Sequence, residues 1–205
     1  MKADSDLTPV AKRDGDPGCR FLKLQPHPYI AWAFKITDKN KQRARLYANR
    51  IERIVRTGVC HSHTKLNEPD SSYIGYIGEF TFEELLIDRH KRFKYKPRCD
   101  GYADKQDFEV FTKVLALVRV HKLDIKTLNR EHARHLMVPE SQLQKYSRDF
   151  YVGAHILGDY EWLRFAGWAT RAEVETQVPL MLLTMTRRRP YALLRSMQSL
   201  LDLLQ

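Results

Sequence analysis

At 205 residues, with 43% apolar and 11% aromatic side chains, the chain has the length and composition of one packed domain and is not disordered as a whole. Lys and Arg number 35 against 25 Asp and Glu, a net charge of +10 that attracts polyanions. No run approaches the roughly 20 apolar residues that span a bilayer, and the polar stretch Met1 to Gly18 has no secretory apolar core, so a soluble, cytoplasmic protein without a membrane partner is expected.

In chain order, residues 1–20 read as a loose tail and 21–205 as the folded domain. Phe21 to Ile36 holds an apolar, aromatic stretch (Tyr29, Ile30, Trp32, Phe34) that predicts a strand. Thr37 or Asp38 then offers an N-cap, and Ala44, Tyr47, Ala48, Ile51, Ile54 and Val55 recur at helical spacing until Gly58. The positive charge concentrates here: Lys35, Lys39, Lys41, Arg43, Arg45, Arg50, Arg53, Arg56 and Lys65 stand against Asp38 and Glu52. Cys60, His61 and His63 follow in a loop. With Cys19 and Cys99 far off and no further ligand pair, reduced cysteines are expected rather than zinc, a disulfide frame or an iron–sulfur cluster.

A second amphipathic helix is predicted from Tyr73 or Ile74, with Ile77, Phe80, Leu85 and Leu86 inward and Glu79 near its start. Phe108 to Phe111 and Val114 to Val120 read as strands with a turn at Thr112-Lys113, and Leu123 to Thr127 continues or follows the second. Asn129 to His135 is a polar loop, and Pro139 opens a short helix to Tyr146. Phe150–Leu157 and Trp162–Trp168 are two more strands around Gly158-Asp159. Thr170 to Glu173 forms a capping box, and Tyr191 to Leu204 a last helix. A second basic cluster is Arg187-Arg188-Arg189. The order predicts an α/β domain with a central mixed sheet flanked by helices.

The chemistry sits in Asp124-Ile125-Lys126. Asp124 is the only acid in the chain with Lys two positions later, and strand alternation puts the two side chains on one face. Carboxylates on a rigid sheet can hold Mg²⁺ or Mn²⁺, and an adjacent Lys can orient water and stabilise developing charge, which is what phosphodiester hydrolysis requires. Asp107, in Gln106-Asp107-Phe108, is the upstream carboxylate, with Asp100 and Glu109 as rivals. Sixteen residues separate Asp107 from Asp124, long enough to suggest a bulge or insertion.

The series Gly75-Tyr76-Ile77-Gly78-Glu79-Phe80, Gln106-Asp107-Phe108 and Asp124-Ile125-Lys126-Thr127 resembles the PD-(D/E)XK, restriction-endonuclease-like nucleases, particularly phage, plasmid and restriction-associated members. Gln142 and Tyr146 fit the Gln-x-x-x-Tyr element of its recombination-type members. Asp149-Phe150-Tyr151-Val152 and Gly167-Trp168-Ala169-Thr170 resemble later strands. The resemblance spans about residues 73–175, leaves the N-terminal third without a counterpart, and departs at Gln106, which stands in place of Pro, a departure that many members tolerate.

It implies a restriction-endonuclease-like single domain acting as a metal-dependent DNA endonuclease that leaves 5′-phosphate ends. Glu79, Asp107, Asp124 and the Ile125 carbonyl would bind Mg²⁺ or Mn²⁺, Lys126 would position the water, and Gln142 would assist; no small-molecule cofactor is implied. Lys39, Lys41, Arg43, Arg45, Arg50, Arg53, Arg187, Arg188 and Arg189 would contact phosphates, and a homodimer would bring two sites to a duplex. The alternatives are a nucleic-acid-binding protein on the same fold without catalysis, and a basic scaffold protein. On those readings Asp124–Lys126 is a surface salt bridge, Glu79 a first-turn helix acid, Asp107 a turn residue and the basic helix a solvated face. His121 is close in sequence to the motif but is expected to point elsewhere.

Overall fold

The chain passes from strand to helix at Thr37, whose hydroxyl accepts the Asn40 N–H at 3.2 Å and caps the first turn. In this computed structural model, which describes residues 24–56, 70–95, 108–115, 117–129, 134–181 and 185–205, the strand is β1 (Ala33–Lys35) and the helix α1 (Asp38–Arg56). Asp100, Asp107, Cys19, Cys60, Cys99, His61, His63 and the side chain of Arg53 lie outside the described residues. The small, buried Ala44 and Ala48 let α1 lie along α2 (Asp70–Asp88), with Tyr47 against Tyr76 and Phe80 at 5.6 Å between ring centroids.

Helix α2 starts a turn earlier than the pattern predicts and has more than one inner side: Tyr76, Ile77, Phe80, Phe82, Leu85 and Leu86 are all buried. Layering explains this, because α2 lies between α1 and the sheet and is covered from both directions. At Gly78 the approach is so close that a Cβ would stand 1.8 Å from Thr127 Oγ1, leaving no room for any side chain.

After α2 come β2 (Arg92–Tyr95), β3 (Phe108–Val114) and β4 (Leu117–Leu128). The strand does not turn at Thr112-Lys113. Thr112 is a good strand residue, and β3 runs on to Val114 before Leu115, at φ 58, makes the turn. The bulge anticipated between Asp107 and Asp124 is absent from the described strands, whose register runs unbroken from Phe108↔Leu123 to Val114↔Leu117. The spacing reflects two long strands. Because β2 pairs only up to Phe111 and the other neighbour of β4 joins only at Leu123, the hairpin tip outruns the sheet and leaves Leu115, Leu117 and Val118 exposed.

Strand β5 (His135–Pro139) and helix α3 (Glu140–Lys145) lead to β6 (Phe150–Leu157), β7 (Trp162–Thr170) and α4 (Arg171–Glu175). The Thr170–Glu173 capping box is formed in both directions. Then follow β8 (Pro179–Met181), β9 (Met185–Pro190), a 3-10 turn (Tyr191–Leu193) and α5 (Met197–Leu203). The single helix predicted from Tyr191 is broken, because Ser196 caps a new one by accepting the Ser199 N–H, while Arg195 pairs with Trp168.

The main sheet has the order β1-β7-β6-β4-β3-β2 and is antiparallel except for the central β4–β6 pair. A smaller sheet, β5-β9-β8, covers its other face. Leu123, Ile125, Val152 and Phe165 face α2 and α5 in the larger core, whereas Tyr151 and Ala169 face β5, α3 and α4 in a second one. The result is a mixed α/β fold, and no described helix is long and apolar enough to cross a membrane.

Candidate active site

Strand alternation on β4 sends Leu123 and Ile125 toward α2 and Asp124 and Lys126 to the opposite face, beneath the smaller sheet. The Lys126 ammonium meets both carboxylate oxygens of Asp124, at 2.8 and 2.7 Å. This pair sits on a central strand and not at an edge: Asp124 is 4% exposed, against the solvated salt bridge that the same spacing would make on a surface.

A third charged group joins them. Arg148, 3% exposed, brings Nε to 3.9 Å from Asp124 Oδ2. It reaches this position because its neighbour Asp149 pins the chain to β4: the Asp149 N–H donates to the Lys122 carbonyl at 2.9 Å, and the Lys122 N–H donates to the Asp149 carboxylate at 2.8 Å. Tyr151, directly beside Asp124 in the parallel register, completes the group. Burial, and then the Asp124 carboxylate, push its phenol well above the ordinary range, so it remains a protonated hydroxyl. Sequence reading missed both Arg148 and Tyr151. Ser147-Arg148-Asp149-Phe150 holds no local signal for either, because only the parallel register of β6 beside β4 brings them to Asp124.

Gln142 lies on α3, with its side-chain oxygen enclosed and unpartnered. Tyr146, one turn later, stacks its ring on Arg148 at 4.9 Å. The Arg171 guanidinium ties the end of α3 to the body by donating to the Leu143 and Tyr146 carbonyls at 2.7 and 2.9 Å.

Glu79 sits on α2, in the layer that covers the Leu123–Ile125 face, and accepts the Tyr95 hydroxyl at 2.7 Å. Glu109 pairs across from Lys122 and therefore shares the Asp124 side of the sheet. His121 shares the opposite side with Leu123, bonds Thr112 Oγ1 at 3.1 Å and stacks on Phe150, so it does point away from the pair. Among the described residues, no group of three or more His, Cys, Asp or Glu is arranged to hold a metal. The donors that are described, one carboxylate and the neighbouring backbone, fit Mg²⁺ in kind, since that ion is held by one or two carboxylates and keeps several waters.

The basic residues divide into two sets. On α1, Lys39, Arg45 and Arg50 are exposed and Lys41 is half-exposed. Arg43 is turned into the α1–α2 interface, where it bonds Glu83 at 2.8 Å and lies over Phe80, while Arg45 also lies over Tyr73. The β9 arginines are internal braces. Arg187 grips the Glu140 carboxylate at 2.6 and 3.0 Å and donates to the Glu175 and Gln177 carbonyls. Arg188 reaches His135 at 3.2 Å, and Arg189 donates to the Glu173 and Leu193 carbonyls.

No family model, no curated protein and no solved structure matches this chain.

Proposed function

We propose that the chain is a metal-dependent nuclease with a restriction-endonuclease-like fold, cutting DNA internally and leaving 5′-phosphate ends. The observation that carries this reading is the Asp124–Lys126 pair, set on one face of a central strand with its carboxylate buried and joined there by Arg148. A carboxylate costly to bury has been kept in the sheet beside two cations, an arrangement suited to handling a phosphate and its attacking water. Asp124, the Ile125 carbonyl and Asp107 would hold Mg²⁺ or Mn²⁺, and Glu79, bonded to Tyr95 on the other face of the sheet, is left out of the ligand set. When bound, such an ion polarises the phosphate and acidifies a water. Lys126, released from Asp124, orients that water and stabilises the charge that develops on the phosphate. Gln142 contributes a hydrogen bond from α3. The exposed charges of α1, Lys39, Lys41, Arg45 and Arg50, hold the duplex backbone through phosphates and so without sequence preference.

The test is incubation of the purified chain with labelled circular and linear DNA in Mg²⁺, Mn²⁺ or EDTA. Cleavage should require the metal. Lys126→Ala should lower its rate on the order of 10²–10³-fold, the typical loss for one preorganised electrostatic contact, with duplex binding nearly unchanged. Asp124→Asn should abolish it. Glu79→Gln should cost less than either, because Glu79 is already held by Tyr95 in the other layer. Lys126→Ala cutting as fast as the parent would sink the mechanism.

A second reading, a nucleic-acid-binding protein without catalysis, is favoured by one feature: both oxygens of Asp124 are occupied by Lys126. It becomes the better one if the parent binds DNA but cuts none with either metal.

A further inference from the structure

Arg148 is 3% exposed, yet its Nε and Nη2 find no hydrogen-bond acceptor. Its one acidic neighbour among the described residues, Asp124, stands 3.9 Å away and is already gripped through both oxygens by Lys126. Two cations, the buried Arg148 and the half-buried Lys126, therefore share one carboxylate, and two nitrogens of the guanidinium are left without a hydrogen bond. That is a costly arrangement unless something else supplies the missing acceptor. The Tyr151 hydroxyl, also enclosed and unpartnered, belongs to the same group, since its parallel register sets it beside Asp124.

The unused groups here are mainly donors. Two guanidinium N–H positions and a phenol hydroxyl are donors of the kind an oxyanion takes, and the planar fork of arginine suits two oxygens of a phosphate at once. The N–H groups of a guanidinium carry no lone pair for a cation, so what they take is an acceptor, best an anionic one. The net charge of +10 favours a phosphate carried by a nucleic acid. We propose that Arg148, with the Tyr151 hydroxyl, is a binding subsite for a nucleic-acid phosphate beside the Asp124–Lys126 pair. Only the identity of the phosphate's carrier rests on the nuclease reading. The Tyr146 ring lies over the guanidinium at 4.9 Å and is the side chain the ligand would displace.

The test compares the full-length parent, Arg148→Met and Arg148→Lys by thermal denaturation in inorganic phosphate at fixed ionic strength. Binding of a short labelled duplex in EDTA is measured in parallel. The parent's melting temperature should rise with phosphate. Arg148→Met should melt at or above the parent without phosphate, because a buried cation with two unbonded nitrogens is gone, and should lose most of the phosphate response. Arg148→Lys keeps the charge but loses the fork, and should bind the duplex about tenfold more weakly, the scale of one charge-assisted hydrogen bond. A phosphate response in either variant equal to the parent's overturns the proposal. So does an Arg148→Met chain that melts far below the parent while Arg148→Lys binds duplex normally, since Arg148 would then be a structural counter-ion of Asp124. A parent that cuts nothing but shows the Arg148-dependent response removes the nuclease reading and leaves this subsite. A parent that cuts, with variants that respond as it does, does the reverse.

Discussion

His155 is buried with its ring stacked on Tyr191, the planes 14° apart, and burial, with Arg164 as a nearby cation, holds its pKa below the ordinary histidine value. His121 and His135 are lowered for the same first reason, burial, His121 with help from Arg119 and His135 from Arg188. Near pH 6.5 the unfolded chain takes up protons that the folded one refuses. The stability these groups contribute is therefore present above that pH and lost as the pH falls through it toward their folded values. The melting temperature should drop between about pH 7.5 and about pH 5.5, and His155→Phe, which keeps the stack but not the titration, should shrink the drop without removing it. An unchanged drop would show that His155 is not among the groups responsible. At this scale the sequence is uneven evidence. Asp124 and Lys126 were legible because no other acid has that spacing. Arg148 was not, since a lone arginine before a strand carries no signature until the parallel register sets β6 beside β4.

Among the elements, β6 was legible from end to end, a Val-, Ile- and aromatic-rich run bounded by Asp149 and Gly158, and α4 was legible through its capping box. Strand β9 was not. Its Thr186 to Pro190 reads as a basic cluster, because arginines fill the positions where apolar residues would signal a strand. Their partners are what turns that cluster inward. Arg187→Ala would leave Glu140 and two carbonyls without their donor and should cost roughly 1–2 kcal/mol, discounted because both side chains keep some solvent contact. It should leave DNA affinity unchanged. Arg50→Ala, on the open side of α1, should do the opposite, weakening binding to unrelated duplexes equally while sparing stability. If Arg187→Ala melts with the parent and binds DNA poorly, β9 is a phosphate-contacting strand after all.

At the scale of the whole molecule, the α/β class and the run of α1, α2, β3, β4, β6 and β7 followed from hydrophobic periodicity, whereas β2, β5, β8, β9 and the two-sheet arrangement did not. Nothing local tells β5 that its partner is β9. Parallel pairing of β4 with β6 requires a crossover, and that crossover contains β5 and α3, clasped from outside by a strand that arrives much later in the chain. The clasp should behave as one cooperative unit in native-state hydrogen exchange. Amides of β5 and β9 should open together, with the same denaturant dependence, and at lower free energy than those of β4 and β6. Exchange of β5 in step with β4 would refute this. The opening matters because α3 and Tyr146 travel with the crossover. Asp124 and Lys126, on a local hairpin, would stay in place while the lid over Arg148 lifts, so a sub-global fluctuation, and not unfolding, would be the event that lets solvent and ligand reach the buried charges.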